Sequence, residues 1–211
     1  MEWALLAIVV LGAGLAYVVW QGTRAALKYR ELAQAGDIPT IREIVEQGLE
    51  EWRSAKPPKE VQPSVWRAVQ TMELVDVGAD YIRVSCVAEG QYRLVDGRWQ
   101  EVSSPLQEAM AVTAKTTDML LYELPNLKLD SVQLDVYTTY RDAASTRRQC
   151  ILTCTAHRED ARQVDWEGWT PEEIVQSLGA RYRLDERGQV LPISPDQTVA
   201  ASASGSEQQP P

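Results

Sequence analysis

Phenylalanine is absent from this chain of 211 residues, and histidine occurs once, as His157. A single imidazole excludes catalytic arrangements that need two, and we interpret His157 as a solvated residue at the end of a strand. The sequence also lacks GxSxG, the phosphate-binding GxxxxGK[ST] loop, a GxGxxG after a strand, HExxH and CxxC. We therefore expect a protein that is not an enzyme, with no catalytic residues, cofactor or metal.

Cysteine is scarce, with three residues, Cys86, Cys150 and Cys154. Cys150 and Cys154 lie in a predicted strand, where they would share a face about 13 Å apart, too far for a disulfide. Cys86 remains free to meet one partner across a sheet. An odd count without a disulfide framework is typical of a reducing compartment, and we interpret all three as buried small side chains.

Basic side chains are in the minority, 21 against 30 acidic ones, which gives a net charge of −9. An acidic surface repels nucleic-acid backbones, and no run rich in Lys and Arg reverses this, so we expect no nucleic-acid partner. Solubility explains the charge. One acidic set would bind a metal ion only if the fold gathered it: Asp135, Asp142, Glu159 and Asp160.

Charge is missing altogether from residues 4–19, which read ALLAIVVLGAGLAYVV between Trp3 and Trp20. The 18 residues from Trp3 to Trp20 would form a helix of about 27 Å, close to the hydrocarbon thickness of a bilayer. Tryptophan is favoured at both membrane interfaces. The pattern predicts a transmembrane anchor over residues 1–22, with the lipid bilayer as a partner.

Two alternatives to an anchor remain open. A buried core helix is seldom so free of polar residues. A cleaved signal peptide favours a basic start, whereas this chain begins Met-Glu-Trp, although small residues near Gly14 leave cleavage open. Gly12 and Gly14 also form a small-residue patch that would let another helix approach, without GxxxG spacing.

The charges beside the anchor predict its orientation. Arg24, Lys28 and Arg30 follow it before the first acid, while only Glu2 and the α-amino group precede it. The positive-inside rule then places the bulk of the chain in the cytoplasm of a single-pass cell-membrane protein.

Helix signals divide the remaining chain. Residues 23–58 are predicted as juxtamembrane helices and a linker; within them, Asp37 and Pro39 begin a helix with one apolar stripe. Ser104, Pro105 and Gln107 begin a second helix, which runs to Pro125. Thr170 and Glu173 begin a third helix. The stripe of the first helix consists of Ile41, Ile44, Val45, Leu49 and Trp52.

Strand signals lie between these helices. We expect strands within residues 65–77 and 81–88, a hairpin turn at Asp96-Gly97, strands over 132–140 and 148–156, and a closing hairpin over 181–193. The order predicts an α+β domain over residues 59–193, a mostly antiparallel sheet with helices packed on one face. Residues 194–211 have the composition of a disordered tail.

Two functions fit this organisation. The first is a membrane-anchored interaction or adaptor domain, such as an accessory subunit of a membrane complex, that binds a protein partner through the polar side of helix 41–52 and through helix 170–178. The alternative is a cytoplasm-facing small-ligand or sensor domain, with a pocket lined by Trp66, Trp99, Trp166 and Trp169. A deep pocket favours the sensor, and an exposed apolar patch favours the adaptor.

The anchor yields the first testable prediction. The full chain should stay with the membrane pellet after carbonate extraction, because about 18 apolar residues cannot leave the bilayer without exposing their side chains to water. N-terminal sequencing should read from Met1 or Glu2. Recovery in the soluble fraction, or a mature start near Tyr17, would contradict an uncleaved anchor.

Overall fold

A computed structural model of the chain describes Tyr17, Trp20 and residues 27–124, 127–141 and 145–195. Apart from Tyr17 and Trp20, the predicted anchor, with Trp3, Gly12 and Gly14, lies outside these residues. None of the helices within the described ranges is long and apolar enough to cross a membrane.

The first helices enter the domain through a tight turn. Helical residues 27–34 end at Gly36, whose φ of +80° suits glycine because it has no Cβ. Asp37 then caps α1 (Ile38–Ser54) by accepting a hydrogen bond from the Thr40 amide at 3.1 Å. The cap and the apolar stripe are as predicted: Ile41, Val45 and Leu49 are buried, and Ile44 and Trp52 pack against the core.

One predicted strand is wrong in its first half. Residues Pro63–Val69 form a second helix, α2, and strand β1 spans Glu73–Val77. Val65 and Val69 are four residues apart, a spacing that fits both a strand and a helix. Trp66 distinguishes the two, because it is buried although its neighbour Val65 is also buried, and successive side chains of a strand point to opposite faces. Its indole N–H donates to the Ala55 carbonyl at 3.2 Å.

The remaining elements follow the predicted order, except for a short helix at Arg158–Ala161 that was not predicted. They are β2 (Tyr81–Val87), β3 (Gln91–Val95), β4 (Arg98–Ser103), α3 (Pro105–Asp118), a π-helical turn (Met119–Glu123), β5 (Ser131–Arg141), β6 (Thr146–His157), α4 (Arg158–Ala161), α5 (Pro171–Ser177), β7 (Arg181–Leu184) and β8 (Val190–Leu191). The helix predicted to run to Pro125 thus changes to π geometry after Asp118.

The strands form a mixed sheet in an α+β fold. Six strands lie in the order β1-β2-β5-β6-β7-β8, and β3 and β4 form a separate two-stranded sheet. Strands β2 and β5 are parallel, whereas the other neighbours in the described sheet are antiparallel.

Two helices begin with the predicted capping boxes. Ser104 accepts from the Gln107 amide at 3.2 Å and Thr170 from the Glu173 amide at 3.3 Å, while each side chain three residues on accepts from the cap's own amide. The hydrogen bonds from Thr170 hold the pKa of Glu173 below its usual value. These local signals fix where α3 and α5 begin.

The hydrophobic core lies between the sheet and α3. Val84, Leu134 and Leu152 are fully buried on adjacent strands, and α3 packs against β5 and β6 on one side and α5 on the other. The stripe of α1 belongs to the same core.

The core face of the π-helical turn gives a stability prediction. Leu120 is 1% exposed, and Leu120→Asp should lower the free energy of unfolding by about 4 kcal/mol because it buries an unpaired charge. The matched control is Leu184→Asp, at a leucine that is 44% exposed, where we expect a change of less than about 1 kcal/mol. Equal denaturation midpoints for the two variants would contradict this assignment.

Candidate functional site

The second face of the sheet carries polar side chains. The parallel register places Arg83 beside Gln133, and Asp135 lies opposite Thr153 on β6. Because side chains alternate along a strand, these residues point away from the core face occupied by Val84 and its neighbours. The sheet is thus apolar on the side of α3 and polar on the other.

An ion pair forms the centre of this polar face. The Arg83 side chain reaches one carboxylate oxygen of Asp135 with both Nε and Nη2, each at 2.7 Å. The other oxygen accepts from Thr153 Oγ1 at 2.7 Å and from Gln133 Nε2 at 3.3 Å. The side chain of Asp135 is 1% exposed and that of Arg83 is 17% exposed. Four donors therefore compensate the buried charge.

The lone pairs of Asp135 are occupied in this arrangement. A carboxylate that already accepts four hydrogen bonds has no lone pair directed at a substrate, so Asp135 is not placed to act as a general base. Next to it, burial raises the pKa of the Tyr137 hydroxyl, and burial raises the pKa of the Cys150 thiol to about 11, with the Asp135 charge adding to both shifts. Both groups stay protonated at neutral pH and are weak nucleophiles.

The two nearby cysteines do not share a face, contrary to the expectation from their spacing. A register shift between Val136 and Tyr137 pairs Cys150 with Tyr137 but Cys154 with Leu134, so a bulge turns the two thiols to opposite sides. Cys86, Cys150 and Cys154 are all free and buried. Burial raises the pKa of Cys86 strongly and that of Cys154 to about 12, which makes both inert.

The predicted flanking residues lie at the start of the described chain. Lys28 and Arg30 are exposed on the helical residues 27–34, and Arg24 lies outside the described residues. Trp20 is helical and 51% exposed, with its ring 6.3 Å from that of Tyr17.

The acidic set considered for a metal is not gathered. Asp135 is buried on the sheet, whereas Glu159 and Asp160 are exposed on α4; Asp142 lies outside the described residues. Across the described part of the chain, no group of three or more His, Cys, Asp or Glu side chains is placed to hold a metal ion.

Two surface cavities are lined mainly by charge. One of about 730 Å³ includes Lys115, Asp118, Asp165 and Trp166 in its wall, and one of about 580 Å³ lies around His157 and Arg158. Small-molecule pockets are usually apolar with a few polar groups, so both linings hold more charged residues than such a pocket usually has.

The four tryptophans proposed for a pocket are dispersed. Trp66 is 4% exposed in the core, Trp99 is 72% exposed on β4, and Trp169 is 40% exposed before α5. Trp166 alone of the four lines either of the two cavities, and its indole donates to the Ala161 carbonyl at 3.2 Å. Neither of these two cavities therefore brings the four tryptophans together.

Comparison with protein-family models, with curated proteins and with solved structures gives no match to this chain. The functional argument consequently depends on its own residues.

The ion pair gives a second stability prediction. Asp135→Asn should cost about 3 kcal/mol of unfolding free energy, because it leaves the partly buried Arg83 without a counter-charge. The control is Glu46→Gln, which breaks an exposed pair with Arg42 of 3.8 Å and should cost less than about 1 kcal/mol. Arg83→Met with Asp135→Leu should recover part of the loss, and equal costs for the two single variants would contradict a structural role for Asp135.

Proposed function

We propose that the protein is a membrane-anchored, non-enzymatic interaction domain, an adaptor or accessory subunit that binds a protein partner beside the bilayer. The predicted anchor over residues 1–22 holds it in the membrane, with the bulk of the chain in the cytoplasm. The ion pair of Asp135 and the protonated thiols support this proposal, because they place the polar groups of the sheet in structural roles.

The proposed architecture presents rigid outer surfaces. We propose a mostly antiparallel sheet whose helices cover one face, so that α1 and α5 are fixed by their buried sides and present their polar sides outward. Ile41, Val45 and Leu49 fix α1 in this way, and Ile174 and Val175 fix α5.

The observation that carries the proposal is the exposed acidic side of α1. Four glutamates are exposed along this helix, whose buried side is formed by Ile41, Val45 and Leu49: Glu43, Glu46, Glu50 and Glu51. Its two arginines pair with acids of the same helix, Arg42 with Glu46 and Arg53 with Glu50. A helix that combines a fixed backbone with excess negative charge fits a partner with a basic surface.

The second candidate, a small-ligand domain, draws on the cavity of about 730 Å³ beside Trp166. Its wall combines an aromatic ring with Lys115, which donates to Asp118 at 3.1 Å and to Glu123 at 3.0 Å. A Lys115 already engaged by two carboxylates has less capacity for a ligand, which favours the interaction domain.

Charge reversal on α1 tests the proposed function. The full anchored chain is purified in detergent from its source membranes, and the proteins that travel with it are identified. Glu46→Lys with Glu51→Lys should lower partner recovery by about tenfold, because like charges then face each other, and raised salt should weaken the wild-type complex.

The matched control applies the same charge change elsewhere. Glu186→Lys with Glu159→Lys changes two exposed glutamates away from α1 and should leave recovery unchanged. Equal losses in both double variants would indicate a general charge effect and contradict a specific α1 surface. Replacement of residues 1–22 by an unrelated membrane helix should keep most of the binding, since the anchor mainly raises the local concentration of partners.

A further inference from the structure

The hairpin formed by β3 and β4 has an unusual surface. Its strands pair only with each other within the described sheets, around a turn in which Asp96 has a φ of 50° and Gly97 a φ of 75°. Its large apolar side chains are exposed: Tyr92 57%, Leu94 56%, Trp99 72% and Val102 58%.

Three of these side chains form one apolar face. Leu94 is the cross-strand partner of Trp99, and Tyr92 precedes Leu94 by two residues, which puts it on the same side of the ribbon. Only Glu101, opposite Tyr92, adds a charge to this face. The face is thus contiguous rather than a scatter of single exposed residues, and such a patch calls for a contacting surface.

The charge of the hairpin differs from that of the chain. Arg93 and Arg98 balance Asp96 and Glu101, so the hairpin is neutral in a protein whose net charge is −9. Repulsion from lipid phosphates is therefore weaker here than on the acidic side of α1. The hairpin also combines tryptophan and tyrosine with arginine, a composition favoured at a membrane–water interface. There the aromatic rings lie between hydrocarbon and water, and long basic side chains reach the lipid headgroups.

The hairpin occupies one end of the sheet. Strand β2 runs away from the turn at Gly78, and the hairpin follows directly after β2, so it lies at the opposite end from that turn. Helix α1 spans the same length. Its first residues lie at the end of the sheet with the Gly78 turn, because a Cβ placed on Gly36 would lie 3.1 Å from the Cβ of Ala79. Its last residues lie at the hairpin end, because Arg53 donates to the carbonyl of Met72 at 2.6 Å, just before β1.

The helix that leads to the anchor turns back toward this end. The Tyr29 hydroxyl donates to the Glu43 carboxylate at 2.9 Å, which places helical residues 27–34 beside the first turns of α1. These residues run into Gly36 at the far end of α1, so their N-terminal end points toward the side of the hairpin. The predicted anchor and the hairpin can then reach the same bilayer.

We propose that this hairpin is a second membrane contact, in which Tyr92, Leu94 and Trp99 insert into the interfacial region of the bilayer that holds the anchor. The proposal rests on the anchored topology of the proposed function. It is independent of the acidic surface of α1, which remains available to a protein partner.

A probe on the hairpin tests the contact. Trp99→Cys is labelled with a fluorophore in the full chain, because the three native thiols are buried and react slowly in the folded protein. One copy is placed in each phosphatidylcholine nanodisc containing lipid with a nitroxide headgroup. Quenching should exceed that of the same probe at Glu186→Cys by about threefold, since only the hairpin lies at the interface.

Further arms separate the outcomes. Leu94→Asp in the labelled chain should reduce quenching to the level of the Glu186 probe, while the chain stays in the disc. Equal quenching at both positions overturns the proposal, and so does a blue-shifted hairpin probe without quenching, which would indicate a protein contact instead. If the chain fails to enter discs, the predicted anchor is wrong. Binding of the chain to phosphatidylcholine vesicles would then test the hairpin alone. Loss of that binding in Leu94→Asp would support the hairpin contact, and no binding by the original chain would overturn it.

Discussion

The parallel pairing of β2 with β5 determines where everything else lies. It joins residues such as Arg83 and Asp135 that are 52 positions apart, and parallel strands require a crossover because their ends are at opposite sides of the sheet. The crossover here contains the β3–β4 hairpin and α3. The hairpin consequently leaves the sheet at one end, and α3 returns across the apolar face.

The same register specifies both faces of the sheet. Val84 lies beside Leu134 on the core side, and Arg83 is close enough to bind Asp135 on the other side. A slip of one residue would turn the valine and leucine outward and bury the charges against α3. The ion pair and the core therefore both disfavour a one-residue slip of the β2–β5 register. The buried charge of Asp135 thus helps to specify the register even where its net contribution to stability is small.

Local features of this fold were readable from the sequence because their causes are local. Capping at Ser104 and Thr170 and the Asp96-Gly97 turn depend on residues within one turn of chain, and the α1 stripe on period alone. The Arg83–Asp135 contact was not readable, since Gln133 and Asp135 show only that one face of β5 is polar. Which strand lies beside it is a tertiary fact. The bulge that separates Cys150 from Cys154 depends on that pairing as well.

Polar groups have different roles inside the sheet and on the outer surface. Inside the described sheet, Asp135 is engaged by four donors and burial keeps Cys150 protonated. Two of the protein's outer surfaces are the acid-rich side of α1 and the neutral apolar face of the hairpin. A reactive site concentrates perturbed groups in a cleft, whereas the proposed interaction domain would depend on shape and charge at its surface.

A single helical anchor restrains position but leaves a domain free to rotate, so a partner in the membrane would meet α1 in many orientations. A second contact through Tyr92, Leu94 and Trp99 would remove much of this freedom before the partner binds. Each of these side chains gains about 2 kcal/mol at most from leaving water, and ordering the hairpin offsets part of that. The contact is then weak by itself and effective only because the anchor keeps it at high local concentration. In the proposed arrangement the anchor would supply proximity, the hairpin would supply orientation, and the charge on α1 would select the partner.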